Sequence, residues 1–115
     1  MYLSIVYEIK KKKHYNGVIS NTLKEAKYQA KNLMDVEKRF IKIYTVYLNI
    51  LTVPKNAYNL FYIPMSDLNN SIPSYKPSFV SHNIDNIYNH SYSHIKKNTI
   101  MVVVKDKNIY DMFTE

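Results

Sequence analysis

The chain has 115 residues, 46% of them hydrophobic, with no cysteine, one glycine and a formal net charge of +7. That length points to one domain, residues 1–115, with enough apolar content for a core, and the missing cysteine excludes disulfides and thiolate metal sites. A single glycine excludes a glycine-rich phosphate loop, no serine stands in a Gly-x-Ser-x-Gly context, and the nine carboxylates show no pairing suited to acid–base work.

The opening MYLSIVYEI contains Glu8 and lacks a basic leader, and no apolar run reaches the roughly 18 residues of a membrane helix. The expectation is a soluble, cytoplasmic protein without membrane contact. The charge has two readings. A basic chain favours anionic partners, nucleic acid first among them. Yet fifteen of the sixteen basic residues are Lys and only Arg39 is Arg, and Lys, Asn, Ile and Tyr make up nearly half the chain. That bias is what AT-rich coding gives, and base readers normally use Arg for bidentate contacts.

Tyr2–Ile9 alternates apolar and mixed residues, with Leu3, Ile5, Tyr7 and Ile9 on one face, and reads as a strand. Lys10–Lys13 and the Asn16-Gly17 pair read as a solvated basic turn. Thr22 and Glu25 have capping-box spacing, and Leu23, Ala26, Ala30, Leu33 and Met34 form an apolar stripe, so a helix runs to about Lys38 or Arg39. Its other side carries Lys24, Lys27 and Lys31. Phe40–Val53 is the longest β-type run. Its apolar residues change phase, Ile41 and Ile43 against Val46, Leu48 and Ile50, which predicts a bend or bulge near Thr45. Ala57–Ile63 reads as a strand stopped by Pro64 that forms a hairpin with Phe40–Val53. Residues 64–82 are rich in Ser, Asn and Pro, with Met65–Ser78 irregular. Val80, Ile84, Ile87, Tyr88, Ser91, Tyr92 and Ile95 fall at helical spacing, giving a helix over Asn83–Ile95 with Ser81 as cap, although Asn, Ser, His and Tyr are weak helix formers. Thr99–Lys105 is a continuous apolar strand central in the sheet, and Asp106–Glu115 adds a turn of helix.

Strand, helix, strand, strand, helix, strand is the βαββαβ order of an α+β, ferredoxin-like sandwich: one antiparallel sheet with two helices on one face. Its other face would stand open, lined by Tyr2, Val6, Tyr44, Val46 and Leu48, and these with Tyr62 are the interface candidates. An open face of that kind suits a homodimer contact or base stacking. The RNA-recognition motif shares the element order, but its aromatic signature on the third strand is absent from AYNLFYIP. The opening strand MYLSIVYEI resembles that of the small ferredoxin-like subunit of CRISPR adaptation complexes, with Glu8 and lysines where that family has an aspartate and arginines. The likeness ends with that strand, and the chain is assigned to neither family.

His90 and His94 at i, i+4, with His82 earlier, are the only metal-ligand spacing in the chain. No glutamate of the HExxH kind stands between them. No cofactor and no catalytic set is expected. The leading expectation is a small basic binding protein, not an enzyme, that acts by surface contact on a protein partner. Its size and composition are similar to those of phage or viral accessory proteins that inhibit a host nucleic-acid-handling complex. The alternative is an anion receptor for RNA, DNA or a nucleotide, using Lys10, Lys11, Lys12, Lys13, Lys24, Lys27 and Lys31. A third reading is a phosphodiesterase or nuclease built on His90 and His94.

Overall fold

A computed structural model describes residues 1–8, 13–36, 41–51, 55–67, 72–94 and 97–114, with the backbone alone for 13–16, 33–36 and 41. Along the chain these form β1 (Tyr2–Glu8), β2 (Lys13–Ser20), α1 (Leu23–Val36), β3 (Ile41–Leu48), β4 (Tyr58–Pro64), a 3-10 turn (Met65–Asp67), β5 (Ser74–Tyr75), β6 (Phe79–Ser81), α2 (Ile84–Ser93), β7 (Thr99–Lys105) and β8 (Asn108–Thr114). The strands make two four-stranded sheets, ordered β2-β1-β3-β5 and β6-β4-β7-β8.

Side-chain alternation along each strand decides the layering. Leu3 and Ile5 of β1, Val46 and Leu48 of β3, Phe61 and Ile63 of β4, and Ile100, Val102 and Val104 of β7 form one fully buried cluster. This is the interior of a sandwich in which the two sheets lie face to face. The residues between them point outward. Leu60, Met101 and Val103 meet Ile87 of α2 in a second cluster. Ser4, Val6 and Ser20 are buried on the other outer face, where α1 crosses β1, β2 and β3 and buries Ala26. The layers are therefore α1, sheet, sheet, α2.

Each half of the chain has the same plan. A central strand (β1 or β4) pairs antiparallel with the next strand of its sheet (β2 or β6). A helix crosses over, and a third strand (β3 or β7) pairs antiparallel on the other side of the centre. This is a structural ββαβ duplication without a visible sequence repeat. The fourth place is filled differently, by β8 in one sheet and by β5 in the other. Since β5 lies between β4 and β6 in the chain, the backbone leaves one sheet, joins the other and returns. Tyr47 and Asn49 of the first half donate backbone hydrogen bonds to Pro73 and Tyr75. The Tyr75 hydroxyl donates to Asp67 at 2.6 Å, and burial together with that bond raises its pKa.

The α+β class and both helices agree with the sequence reading, but the single ferredoxin-like sheet does not. β4 pairs with β6 and β7 of the second sheet and makes no hairpin with β3. The cause is the two-faced apolarity of β3, whose Val46 and Leu48 are fully buried against the second sheet while Ile43, Thr45 and Tyr47 are half-buried on the side that α1 covers. Its ladder with β1 runs without a shift from Ile41 to Tyr47, so no bulge forms near Thr45. Bulges lie instead in β2, where Val6 pairs Asn16 and Tyr7 pairs His14, leaving Tyr15 as the extra residue, and in β8, where Val103 pairs Asp111 and Val104 pairs Ile109, leaving Tyr110 as the extra residue. Asn16-Gly17 is inside β2 rather than in a turn. Gly17 is small because a Cβ there would lie 3.0 Å from Leu3 Cδ1 and 3.1 Å from Ile109 Cδ1, where β2 meets β8. The last ten residues, expected to add a turn of helix, instead form a strand over 108–114. Their hairpin turn is Asp106-Lys107, both at positive φ (51° and 65°), a type I′ geometry normally signalled by Asn-Gly. Thr22 Oγ1 does accept from Glu25 N at 3.1 Å, as the capping box requires. At α2 the cap is Asn83, whose side chain accepts from Asp85 N, in place of Ser81.

Two variants test this account. Gly17→Val should destabilise the fold by about 1–3 kcal/mol, because the β2–β8 contact has no room for it. Asp106→Asn with Lys107→Gly should stabilise by about 0.5–1 kcal/mol by relieving positive φ in a type I′ turn. Thermal or urea unfolding of each variant against the parent measures both.

Candidate functional site

The predicted open face is covered by the second sheet. Val46 and Leu48 are fully buried in the sandwich interior and Val6 is buried beneath α1, so none of the three is available to a partner. Tyr2 and Tyr47 stack edge-on at 5.1 Å and Tyr7 and Tyr44 lie 6.2 Å apart, all four half-buried. Of the anion candidates, Lys10, Lys11 and Lys12 lie outside the described residues, and Lys13 opens β2. Lys24, Lys27 and Lys31 are exposed on α1, where Tyr28 stands among them, 64% exposed.

The outer face of the second sheet carries what the sequence did not assemble. α2 divides it. On the β8 side, Tyr88 donates to Asp111 at 2.7 Å and packs its ring beside Phe113. That bond, with burial, pushes the Tyr88 pKa up to about 12. Tyr58 meets Tyr110 edge-to-face at 4.9 Å, and Lys105 Nζ lies 4.8 Å above the Tyr58 ring. Tyr110 is 51% exposed, and Tyr92, one turn beyond Tyr88, is 68% exposed. Two fixed and two exposed tyrosines thus share one surface. Only Tyr88 and Tyr92 had a common face in the sequence, because β4 and β8 reach the site through sheet pairing.

On the β6 side, Tyr62, Pro64, Ser78, His90, His94 and Thr99 line a cavity of about 300 Å³. Three rings are stacked along its wall: Phe79 on His90 at 4.5 Å, and His90 on His94 at 4.0 Å with 12° between planes. The Tyr62 hydroxyl lies 2.8 Å from His90 Nδ1 and 3.3 Å from the His90 carbonyl oxygen. His94 Nδ1 lies 2.9 Å from that same carbonyl, which only accepts, so His94 Nδ1 carries a proton. Burial, and then the charge of His94, lower the His90 pKa, while burial raises that of Tyr62.

The i, i+4 histidine spacing therefore produces a stack rather than a chelate. Imidazole lone pairs lie in the ring plane, and nearly parallel planes aim them side by side instead of at one ion. Among the described residues no group of three His, Cys, Asp or Glu is placed to hold a metal. His82 is exposed on the segment before Asn83, apart from the pair.

A second cavity of about 300 Å³ is lined by Ile50, Leu51, Lys55, Asn56, Ala57, Asn59, Asp106 and Lys107. The buried Asn59 forms its base and binds both backbone groups of Leu51, accepting from its N–H at 3.0 Å and donating to its carbonyl at 3.1 Å. No described helix is long and apolar enough to cross a membrane. Comparison of the chain with known protein families, curated proteins and solved structures finds no match.

The Tyr88–Asp111 bond has a pH signature. A folded-state pKa raised from 10.0 to about 12 means that Tyr88 contributes stability fully below pH 10, which is lost as pH rises towards 12. Tyr88→Phe should flatten that alkaline decline relative to the parent in pH-dependent unfolding. Superimposable profiles would show that the bond contributes nothing.

Proposed function

We propose that the protein is a non-enzymatic binding protein that works by surface contact, with Tyr58, Tyr88, Tyr92 and Tyr110 as its contact surface and a protein as its partner. The observation that carries this reading is the pairing of exposed with fixed rings: Tyr92 and Tyr110 are more than half exposed, beside Tyr88 and Tyr58, which are held by Asp111, Tyr110 and Lys105. Tyrosine offers large amphipathic area with few rotatable bonds. Rings already held in place lose little further freedom on binding.

A second surface favours a second reading. Lys24, Lys27 and Lys31 with the exposed Tyr28 place cations around an aromatic ring on α1, a combination that suits single-stranded nucleic acid through phosphate contact and base stacking. The two surfaces are on opposite sides of the sandwich, one on each helix layer. A protein complex that handles nucleic acid is the partner class that would engage both.

Two variant sets separate the readings. Tyr92→Ala with Tyr110→Ala should weaken partner binding by about tenfold or more, with Lys24→Gln, Lys27→Gln and Lys31→Gln leaving protein capture intact. If the lysine set alone abolishes binding, and labelled single-stranded oligonucleotides bind with a steep salt dependence, the nucleic-acid reading replaces the protein one. Capture unchanged by the tyrosine pair overturns the contact surface.

A further inference from the structure

We propose that the cavity between Tyr62, Ser78, His90, His94 and Thr99 is a binding site for a small oxyanion, with inorganic phosphate as its simplest occupant, and that the site loads together with a proton on the histidine pair.

The argument starts from the hydrogen bonds already made. His94 Nδ1 is committed to the His90 carbonyl and His90 Nδ1 to the Tyr62 hydroxyl. Each ring therefore keeps a single polar atom, Nε2. With Nδ1 protonated, the Nε2 of neutral His94 bears a lone pair that repels an anion, and protonation turns it into a donor. A second proton, on His90, is opposed by the first, because two imidazolium groups stacked at 4.0 Å repel each other. An oxyanion beside the pair offsets that repulsion, so proton and anion stabilise each other.

Tyr62 accommodates both charge states of His90. Towards the neutral ring its O–H donates to Nδ1. Towards the charged ring its oxygen accepts from Nδ1–H while its O–H turns to the His90 carbonyl at 3.3 Å. Phe79 closes the other face of His90 and fixes its plane. Ser78 and Thr99 add hydroxyls to the lining and Pro64 an apolar wall. The surrounding charges do not compete. No carboxylate lines the cavity among the described residues. Asp85 lies in the first turn of α2 and Asp111 is bound to Tyr88 on the other side of that helix. β4 contributes only Tyr62 as a titratable group on this side. The segment after β6 carries exposed His82, and exposed Lys97 precedes β7.

The test is a titration of the full chain with sodium phosphate, and separately with sodium acetate, at constant ionic strength set by chloride. It reads the imidazole proton–carbon signals of His90 and His94 by NMR, near pH 5.5 and near pH 8. The expected result is saturable movement of both signals at the acidic pH, with affinity falling about tenfold per pH unit once the pair has lost its proton. His94→Gln, at an exposed position, should abolish saturation without unfolding the protein. Tyr62→Phe should weaken it. Tyr92→Ala with Tyr110→Ala should leave it intact, which keeps this site distinguishable from the tyrosine surface. Saturation by phosphate alone assigns a phosphate or phosphomonoester ligand, and saturation by acetate assigns a carboxylate ligand. Signals that never saturate at acidic pH, or a His90 signal that moves identically in His94→Gln, overturn the proposal.

Discussion

Everything in this molecule rests on the burial of one sheet's inner face against the other's. Leu3, Ile5, Val46, Leu48, Phe61, Ile63, Ile100, Val102 and Val104 are each fully buried there, and full burial of such side chains contributes about 1.5–3 kcal/mol apiece. Neither sheet could keep that face in water. The requirement explains why β1, β3, β4 and β7 are the central strands and why the residues they bury in the interior fall on alternate positions. It also explains the single glycine, since Gly17 sits where one edge of the sandwich closes tightly on the other.

The outer faces follow from the inner one. A strand buried inward at every second residue still presents the intervening residues outward, and each sheet covers them with its helix. α1 has good helix formers and a cap at Thr22. α2 is made of Asn, Ser, His and Tyr, and its regularity comes from elsewhere. Ile87 is fixed against Leu60, Met101 and Val103. Asn83 caps the start, while Ser91 and Ser93 donate to the carbonyls of Tyr88 and Asn89. Tertiary contact and local side-chain bonds supply what propensity does not. α2 is thereby left with polar, aromatic side chains on both flanks. These generate the tyrosine surface on one side and the histidine cavity on the other.

Both candidate sites therefore share a scaffold but use different chemistry. The tyrosine side is aromatic, with Tyr88 and Tyr58 held by a hydrogen bond and ring contacts beside the exposed Tyr92 and Tyr110, which suits a macromolecular surface. The histidine side is concave, with stacked imidazoles whose Nδ1 atoms are already hydrogen-bonded, which suits a small anion. The segment 72–78 ties the two sheets by placing β5 beside β3 before β6 joins β4, so the cavity wall at Ser78, and Phe79 stacked behind His90, are set by the same segment that links the halves.

What the sequence determined by itself was local: a strand opening at Tyr2, the capped helix after Thr22, the helical stripe through Ile84, Ile87, Tyr88 and Ser91, and the central apolar strand at Thr99–Lys105. Each follows from periodicity or capping within a few residues. The tertiary structure decided the rest. The out-of-phase apolar residues of β3 were compatible with a bulge or with cover on both faces, and only the packing of the second sheet on one side and α1 on the other selects between them. Asn16-Gly17 carries a turn signal that a strand contact overrides, and Asp106-Lys107 makes a tight hairpin turn without the usual residues. His90 and His94 were adjacent on paper as possible ligands. Their stacking, and the meeting with Tyr62 from β4 and Phe79 from β6, depend on sheet pairing between segments far apart in the chain, which no local pattern encodes.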